Sequence, residues 1–417
     1  LFRDNAEQLE QLIELVADIH RCYSGTTLIT IDQEGGAVQR LDRVAAPLPS
    51  MMALGALASP EQAFQIGLQS GQQLALLGIN VVLAPVLDVN TNSANPIIGS
   101  RAFGDNPELV ASLGAGLAKG YAEAGIIAVG KHFPGHGDTA VDSHLQLPLV
   151  EHDLARLQQV ELLPFKANCA LLPAMLTAHV RVPALDPSPL PASLSPIITT
   201  EWLRGKLGFN GLIFTDDMLM KAITEHWGLE EACLLALEAG ADQLLVCAEP
   251  EAVARVHTAV IQAVAQGRIS EQRIAESIRR RQRALVATGA NFVGANNRSK
   301  DRRELPALIT SATELAEQVS TKAMTVASQS QAKIALSAEP ILLLVPAHAR
   351  YELPFRKALQ ELAPTTQIEE ERYPLNPQQN DIDRLTKLCA QRRCALFTFR
   401  APLNPGQFAL ANALRQS

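Results

Sequence analysis

Short apolar runs alternate with amphipathic stretches along the first two thirds of the chain. Residues 6–20 repeat leucine, isoleucine and valine at intervals of three and four, which predicts an amphipathic helix. Several later apolar runs are only four or five residues long and end in polar residues, which predicts short buried strands. We place these strands at residues 28–31, 81–84, 126–130, 174–177, 212–215 and 243–246.

This repeated order of strand and helix predicts a parallel sheet with right-handed crossovers. Polar residues that could take part in catalysis or binding follow nearly every predicted strand, so they are not confined to one crevice. The pattern therefore favours an α/β fold of the TIM type, a closed (β/α)8 barrel, over an open doubly wound sheet. A closed barrel needs eight strands and the pattern supplies six, so we expect the first one or two strands to lie before Leu1.

The pattern changes after a helix predicted over residues 269–285. Residues 291–303 are rich in glycine and asparagine and then basic, which predicts a linker. Further elements are predicted at residues 305–328 (helix), 341–345 (strand), 353–362 (helix) and 395–399 (strand). We therefore expect a barrel domain at residues 1–290 and a smaller α/β sandwich domain at residues 304–417, and the pattern leaves open whether its far edge is included.

Composition narrows the class of function. The chain has 417 residues and 47% hydrophobic content, enough for a large core and more than one domain. No apolar run approaches the ~20 residues that cross a bilayer, and a net charge of −7 gives no reason to expect nucleic acid as a partner. Six scattered cysteines without C-x-x-C spacing indicate reduced thiols, so we expect a cytoplasmic protein. Because the chain does not begin with Met, export stays open.

Residues 131–144 hold the densest group of titratable side chains in the chain. Three histidines, two aspartates and a lysine lie beside glycine and proline within fourteen positions, directly after a predicted strand. Asp142 and His144 are two apart, so in an extended loop they point to the same side. A carboxylate there can orient the imidazole and raise its proton affinity. His144 is therefore a candidate general acid/base, with Asp142 as its orienting partner.

Adjacent carboxylates follow the predicted strand at residues 212–215. Asp216 and Asp217 repel each other, and a strand end is a costly place to desolvate both. We expect one of them to face the barrel mouth as a nucleophile and the other to cap the following helix.

Other charged residues at strand ends are candidates for binding. Asp32 with Arg40, and separately Arg101, could hold hydroxyl groups through charge-assisted hydrogen bonds, or could form a turn cap and a surface ion pair. Lys131 and His132 directly follow the strand predicted at residues 126–130 and are binding candidates on that ground. No pair of histidines with H-x-x-x-H or H-E-x-x-H spacing stands on a predicted helix, so we expect no metal site. We also expect no cofactor.

Three motifs resemble those of the family 3 glycoside hydrolases, and more narrowly of their β-N-acetylglucosaminidase branch. They are Ile-Asp-Gln-Glu-Gly-Gly at residues 31–36, Lys-His-Phe-Pro-Gly-His-Gly at 131–137 with Asp-Ser-His at 142–144, and Phe-Thr-Asp-Asp-Met at 214–218. The resemblance covers about residues 1–285, in the order and at spacings compatible with the family.

The resemblance implies a TIM-type barrel and a retaining double displacement without a cofactor. Asp216 matches the nucleophile of the family, and His144, assisted by Asp142, matches its general acid/base. The positions that match the binding site for N-acetylglucosamine before the scissile bond are Asp32, Arg40, Arg101, Lys131 and His132. The implied function is an exo-β-N-acetylglucosaminidase acting on cell-wall muropeptides in peptidoglycan recycling or on related oligosaccharides. Its partner is a small carbohydrate, and we expect a monomer or a weak homo-oligomer.

Two alternative functions stay open. A neutral histidine acid would not repel phosphate as a carboxylate would, so phosphate could replace water and make the chain a β-N-acetylglucosaminide phosphorylase. The other alternative is a non-catalytic sugar-binding barrel. The joint presence of Asp216, Asp142 and His144 speaks against it.

Overall fold

The structure is a computed structural model, and the chain divides into two compact units, Leu1–Met324 and Thr325–Ser417. The described residues are 1–23, 27–139, 147–247, 249–288, 301–324, 340–347, 360–361, 364–390, 392–398 and 404–416.

Parallel strands form the centre of the first unit. Among the residues that the structure describes, they are β1 (Thr30–Ile31), β4 (Val81–Val82), β5 (Ile127–Phe133), β6 (Ala174–Thr177), β7 (Leu212–Asp217) and β8 (Gln243–Leu245). They pair in the order β1-β4-β5-β6-β7-β8, so the parallel sheet predicted from the sequence is confirmed. Thr177 pairs with Thr215, which places the carboxyl ends of β6 and β7 side by side.

A short antiparallel hairpin follows β1, and the sequence pattern did not predict it. It consists of β2 (Gln33–Gly35) and β3 (Val38–Gln39). Gly35 and Gly36 have φ of 102° and 56°, a region that favours glycine. A Cβ atom on Gly35 would also lie 2.1 Å from the carbonyl oxygen of Pro49. The two glycines thus allow the chain to turn back directly after the polar end of β1.

The sheet of the first unit is curled. Strands β1 and β8 lie at opposite edges of the strand order. Nevertheless, Ile31 and Asp32 at the end of β1 line the same cavity as Leu245 and Cys247 at the end of β8. A flat sheet would hold these ends several strand spacings of about 4.8 Å apart. The first unit is therefore an α/β fold with a half-barrel sheet, which brings the carboxyl ends of its strands around one cavity.

Helices surround this sheet. In the described part of the first unit, the α-helices are α1 (Leu9–Cys22), α2 (Met51–Leu57), α3 (Pro60–Leu77), α4 (Pro107–Glu123), α5 (Leu154–Gln159), α6 (Leu163–Asn168), α7 (Lys221–Trp227), α8 (Leu229–Ala239), α9 (Pro250–Ala265), α10 (Glu271–Ala287) and α11 (Leu305–Lys322). A π-helix spans Ile197–Lys206, and short 3₁₀ helices span Arg3–Asn5, Gly99–Arg101, Ala192–Leu194 and Asp301–Glu304. Ser59 and Asn106 begin α3 and α4 by accepting hydrogen bonds from backbone N–H groups of the first turn, and each cap is followed by proline.

Helix α11 belongs to the first unit, although the sequence pattern assigned residues 304–417 to the second domain. Leu305 and Val319 are buried in the main core, and α11 contacts α3. Helical periodicity identifies which face of α11 is buried but not which neighbour covers it, and this explains the difference. Of the predicted linker at residues 291–303, only residues 301–303 are described.

A buried carboxylate ties α10 and the π-helix to the amino ends of β7 and β8. The Asp242 side chain is fully buried and accepts a hydrogen bond of 3.1 Å from the backbone N–H of Ile213. It also accepts hydrogen bonds from Arg204 (2.6 Å), Ser277 (2.7 Å), Arg280 (3.0 Å) and Arg273 (3.3 Å). We call these residues the Asp242 cluster. It lies at the sheet edge opposite to the strand ends that line the cavity.

The second unit contains a separate small parallel sheet. Its described strands are β9 (Ile341–Pro346), β10 (Ile368–Tyr373) and β11 (Arg393–Leu396), in the order β10-β9-β11. Its described helices are α12 (Gln379–Cys389) and α13 (Pro405–Gln416). Leu344, Leu385 and Leu410 form the centre of its core. Strand β9 lies where the sequence predicted a strand, whereas β11 begins two residues before the strand predicted at 395–399. Most of the helix predicted at residues 353–362 lies outside the described residues.

Candidate active site

A cavity lies at the carboxyl ends of the strands in the first unit. Polar residues on its wall are Thr30, Asp32, Arg40, Lys131, His132, Asp216, Asp217 and Cys247, and apolar residues are Leu1, Phe2, Ile31, Leu83, Leu176, Met220 and Leu245. Its volume is about 190 Å³, roughly six times the ~30 Å³ that one water molecule occupies in the liquid. The cavity therefore has room for a small ligand with both polar and apolar faces.

The two adjacent carboxylates at the end of β7 have different surroundings. The Asp216 side chain lies on the cavity wall, and its Oδ1 accepts a hydrogen bond of 2.9 Å from the backbone N–H of Asp217. Asp217 Oδ1 instead accepts hydrogen bonds of 3.1 Å from the backbone N–H groups of Leu219 and Cys247. Asp217 thus fixes the chain after β7 to the end of β8.

Nearby basic side chains keep Asp216 ionised. Burial alone would raise the pKa of the Asp216 carboxyl, but the surrounding basic side chains, with the largest effect from His179, hold it below its ordinary value. A carboxylate must be ionised to act as a nucleophile or as an electrostatic stabiliser of a cation. Asp216 meets this condition at neutral pH.

Carboxylates and cationic side chains alternate from the cavity wall at Asp32 and Lys131 to Glu34 and Arg101 behind it. Lys131 Nζ lies 2.7 Å from Asp32 Oδ1 and 2.5 Å from Glu34 Oε1. Arg101 forms a bidentate pair with Glu34, in which both N···O distances are 2.8 Å. Arg40 lies beside Asp32, with a distance of 3.8 Å between Nη2 and Oδ2. The carboxylate of Asp32 is thereby held between two cations at the cavity surface.

Lys131 and Glu34 are buried, and each stabilises the charge of the other. Burial opposes ionisation of both, yet Arg101 and Lys131 hold the pKa of Glu34 well below its usual range. The carboxylates of Asp32 and Glu34 likewise raise the pKa of Lys131 above its ordinary value despite burial. Such fixed charges need no reorganisation when a polar ligand enters.

Asp88 organises the histidine-rich segment after β5. Its fully buried carboxylate accepts hydrogen bonds from His132 Nδ1 and from the backbone N–H of His136, both at 2.6 Å. The backbone N–H of His132 lies 3.3 Å from each of its oxygens. Burial would raise the pKa of Asp88, but the histidines keep it low, so the group stays an acceptor. Asp88 thus fixes both the ring and the backbone of His132.

These contacts fix the tautomer of His132. Because ionised Asp88 can only accept, His132 Nδ1 must carry hydrogen. Arginine can only donate, and Arg101 Nη2 lies 3.3 Å from His132 Nε2, so Nε2 accepts that bond. The ring is therefore the neutral Nδ1–H form, with its position set by Asp88 on one side and Arg101 on the other.

The structure brings most of the predicted site residues together. Asp32, Arg40, Lys131, His132 and Asp216 all line the cavity. Arg101 is not among the lining residues, but it bonds to Glu34 and to His132, and His132 lines the cavity. The two remaining candidates, Asp142 and His144, lie outside the described residues.

Sequence reasoning missed Glu34 and Asp88 as members of the site. Glu34 stands two positions after Asp32, and Asp88 follows a predicted strand four residues after its last position. Polar residues after a buried strand were the signal that selected the other candidates, and both residues carry that signal. This signal does not identify the residue with which each side chain pairs, because Glu34 contacts Lys131 and Arg101 only in the folded chain.

His136 lies behind the cavity wall and not on it. Its Nδ1 lies 2.6 Å from Thr139 Oγ1, and its ring packs edge-on against that of His132. Burial lowers the pKa of His136 to about 4.

Among the described residues, no cluster of three or more His, Cys, Asp or Glu could hold a metal ion. No helix in the described part of the chain is long and apolar enough to cross a membrane.

We expect Asp88→Asn to destabilise the first unit. The asparagine side chain can accept hydrogen bonds on its oxygen only. Its NH₂ group would face one of the buried N–H groups that Asp88 now accepts from, and that N–H group would be left without an acceptor. The cost of leaving such a group unsatisfied is about 1–3 kcal/mol, and it would lower the free energy of unfolding measured by urea titration. The matched control is Asp105→Asn, an exposed position where the change should stay within about 0.5 kcal/mol. Equal stability of the two variants would contradict this assignment of Asp88.

Comparison with known proteins gives a consistent result. Residues 1–284 match the family model described as glycosyl hydrolase family 3 N-terminal domain. The beta-hexosaminidase of Alkalilimnicola ehrlichii is 41% identical over 263 residues, which are 61% of this chain and 75% of that protein.

Two solved structures are similar in fold as well as in sequence. A family 3 β-N-acetylglucosaminidase from Paenibacillus sp. str. FPU-7 superposes with a TM-score of 0.88 at 33% identity and covers 100% of this chain and 81% of its own. NagZ from Neisseria gonorrhoeae, in complex with N-trifluoroacetyl-D-glucosamine, superposes with a TM-score of 0.63 at 33% identity and covers 76% of this chain and 89% of its own.

Proposed function

This chain belongs to glycosyl hydrolase family 3, and from that premise we propose that it is a retaining exo-β-N-acetylglucosaminidase. The observation that carries the proposal is the position of Asp216, an ionised carboxylate at the end of β7 on the wall of a cavity lined by Asp32, Lys131 and His132. The names of the relatives add the substrate class, since they are hexosaminidases and β-N-acetylglucosaminidases.

The proposed reaction is a double displacement. Asp216 attacks the anomeric carbon, the bond to the leaving oxygen breaks, and His144 with Asp142 gives that oxygen a proton. A covalent glycosyl-enzyme forms. His144 then takes a proton from water, the water attacks the same carbon, and Asp216 leaves. Two inversions give net retention of the β configuration.

The remaining residues hold the sugar. Asp32 accepts hydrogen bonds from hydroxyl groups, and Lys131, between two carboxylates, donates to them. Arg40 adds a second cation at the cavity surface, and His132 offers a fixed imidazole face. Arg101 contributes by holding Glu34 and His132 in place. This wall can recognise a neutral polyhydroxylated ring without any further charge.

We further propose the complete fold, the natural substrate, the location and the assembly of the protein. The curled sheet supports a TIM-type (β/α)8 barrel, and residues after Thr325 support a second α/β sandwich domain. The resemblance supports cell-wall muropeptides in the cytoplasm as the natural substrates, with chitin-derived oligosaccharides next. For its assembly we propose a monomer or a weak homo-oligomer.

The anomer of the first product tests the proposal. With an aryl β-N-acetylglucosaminide as substrate, proton NMR should show β-N-acetylglucosamine before the α anomer appears by mutarotation. The same reaction in phosphate buffer should give free sugar and no N-acetylglucosamine 1-phosphate. Early α anomer would exclude retention, and accumulating sugar phosphate would establish phosphorolysis instead. A lack of any turnover would favour a sugar-binding protein.

A further inference from the structure

His179 is a buried histidine directly beside the proposed nucleophile, and the mechanism above gives it no role. It follows β6, whose Thr177 pairs with Thr215 of β7. Two residues further along, His179 and Asp217 therefore face each other across the strand ends. The His179 side chain is fully buried, although histidine is usually partly exposed.

Both ring nitrogens of His179 have partners. Nε2 lies 3.0 Å from the carbonyl oxygen of Asp217, and because a carbonyl only accepts, Nε2 must carry hydrogen. Nδ1 lies 2.7 Å from Ser193 Oγ, a hydroxyl that can donate to a neutral ring or accept from an imidazolium. Ser193 is itself anchored, since its backbone N–H donates to the carbonyl oxygen of Ala178.

A short chain of hydrogen bonds connects His179 to the nucleophile. His179 Nε2 donates to the carbonyl of Asp217, and the N–H of the same residue donates to Asp216 Oδ1. The ring therefore fixes the residue whose N–H holds the carboxylate. His179 also makes the largest attractive contribution that opposes the effect of burial on the pKa of Asp216. The other groups that influence this carboxylate are His132 and Lys131 from β5 and the neighbouring Asp217.

We propose that His179 is the positioning residue that keeps the Asp216 carboxylate oriented towards the cavity, with Ser193 holding the ring of His179 in place. His179 is not among the residues that line the cavity, so we assign it no contact with the substrate. The inference rests on the proposed function, since it names the residue that positions the nucleophile of that function. Its consequence is that losing His179 changes the pH at which Asp216 becomes reactive.

Covalent labelling isolates this effect from acid catalysis. The probe is 5-fluoro-N-acetylglucosaminyl fluoride, whose leaving group needs no proton donor, so its labelling rate reports the nucleophile alone. In His179→Gln the amide nitrogen can still donate to the Asp217 carbonyl but the side chain cannot carry charge. When the labelling rate is plotted against pH, the rate falls on the acidic side, and we call this part of the curve the acid limb. In His179→Gln we expect the acid limb to lie about one pH unit or more above that of the wild type.

Other variants separate charge from position. His179→Phe loses both the donor and the charge, and we expect labelling at neutral pH to fall about a hundredfold, as for the loss of an oriented donor. Ser193→Ala removes the hydroxyl that accepts a hydrogen bond from the imidazolium form of His179, so it should move the acid limb in the same direction as His179→Gln but by less. It is the deciding variant if the His179 variants fail to fold. The matched control is His257→Gln on the exposed face of α9, which should label as the wild type does.

The outcomes separate the two proposals. Wild-type labelling with an unchanged acid limb in His179→Gln and Ser193→Ala would overturn the role of His179 and leave the proposed function standing. No labelling of the wild type would overturn the proposed function and this inference with it. An upward shift in the variants and none in the control supports both.

Discussion

Replacing Asp216 by asparagine should lower kcat/KM on aryl β-N-acetylglucosaminides by about 10⁴-fold or more. The amide cannot form the glycosyl ester, and it cannot stabilise the cationic transition state as the ionised carboxylate does. Because Asp216 lies on the cavity wall and not in the core, the fold should persist. Steady-state kinetics with matched circular dichroism spectra measure both effects.

The chain offers a control one residue away. Asp217→Asn keeps an amide oxygen that can accept the hydrogen bonds from Leu219 and Cys247, so we expect it to lose tenfold in kcat/KM at most. In Asp216→Ala, azide can occupy the space of the lost carboxylate and attack the anomeric carbon once. The product should be the α-glycosyl azide. Equal losses in the two asparagine variants, or a β-azide from the alanine variant, would contradict the assignment of Asp216.

Loss of the Asp242 carboxylate should have the largest effect on stability. Asp242→Asn leaves the three arginines of the Asp242 cluster without their counter-ion, in the space between α10, the π-helix and the sheet. Breaking a buried ion pair by removing one partner costs roughly 3–5 kcal/mol. The free energy of unfolding from urea titration at pH 7 should fall by this amount. The control is Glu230→Gln, which removes an exposed ion pair with Arg255 and should cost about 1 kcal/mol or less.

The dependence on pH gives a second measurement for this cluster. Burial would raise the pKa of Asp242, but Arg204, Ser277 and the other arginines hold it below 3.8, the ordinary value that it regains on unfolding. Its contribution is therefore complete above about pH 4 and is lost as the pH falls through the lower value in the folded state. The stability difference between wild type and Asp242→Asn should shrink in that acidic range. A constant difference down to pH 2 would contradict the role of its charge.

The sequence was sufficient to predict the parallel sheet and most of the polar residues on the cavity wall. Apolar runs that end in polar residues identified β1 and β4 through β8, and the residues after them include Asp32, Lys131 and Asp216. The reason is geometric, since the carboxyl ends of parallel strands share one edge. Once the sheet curls, side chains distant in the chain meet there.

Partnerships across the fold could not be predicted. Glu34 and Asp88 carry the same local signal as the other candidates, yet their roles follow from Lys131, Arg101 and His132 at long range. Helix α11 shows the same limit, because its apolar face gave no indication that α3 would cover it. Periodicity reports that a side chain is buried or polar, whereas the identity of its neighbour depends on the complete fold.

The central claim is that Asp216 forms a covalent bond to the sugar, and the most direct test is to locate that bond. After treatment with 5-fluoro-N-acetylglucosaminyl fluoride, intact mass spectrometry should show one added sugar per chain. Tandem mass spectrometry of the digest should place it on Asp216, in the segment Leu212–Asp217. A sugar on any other residue, or turnover of substrate without a detectable adduct, would contradict the account.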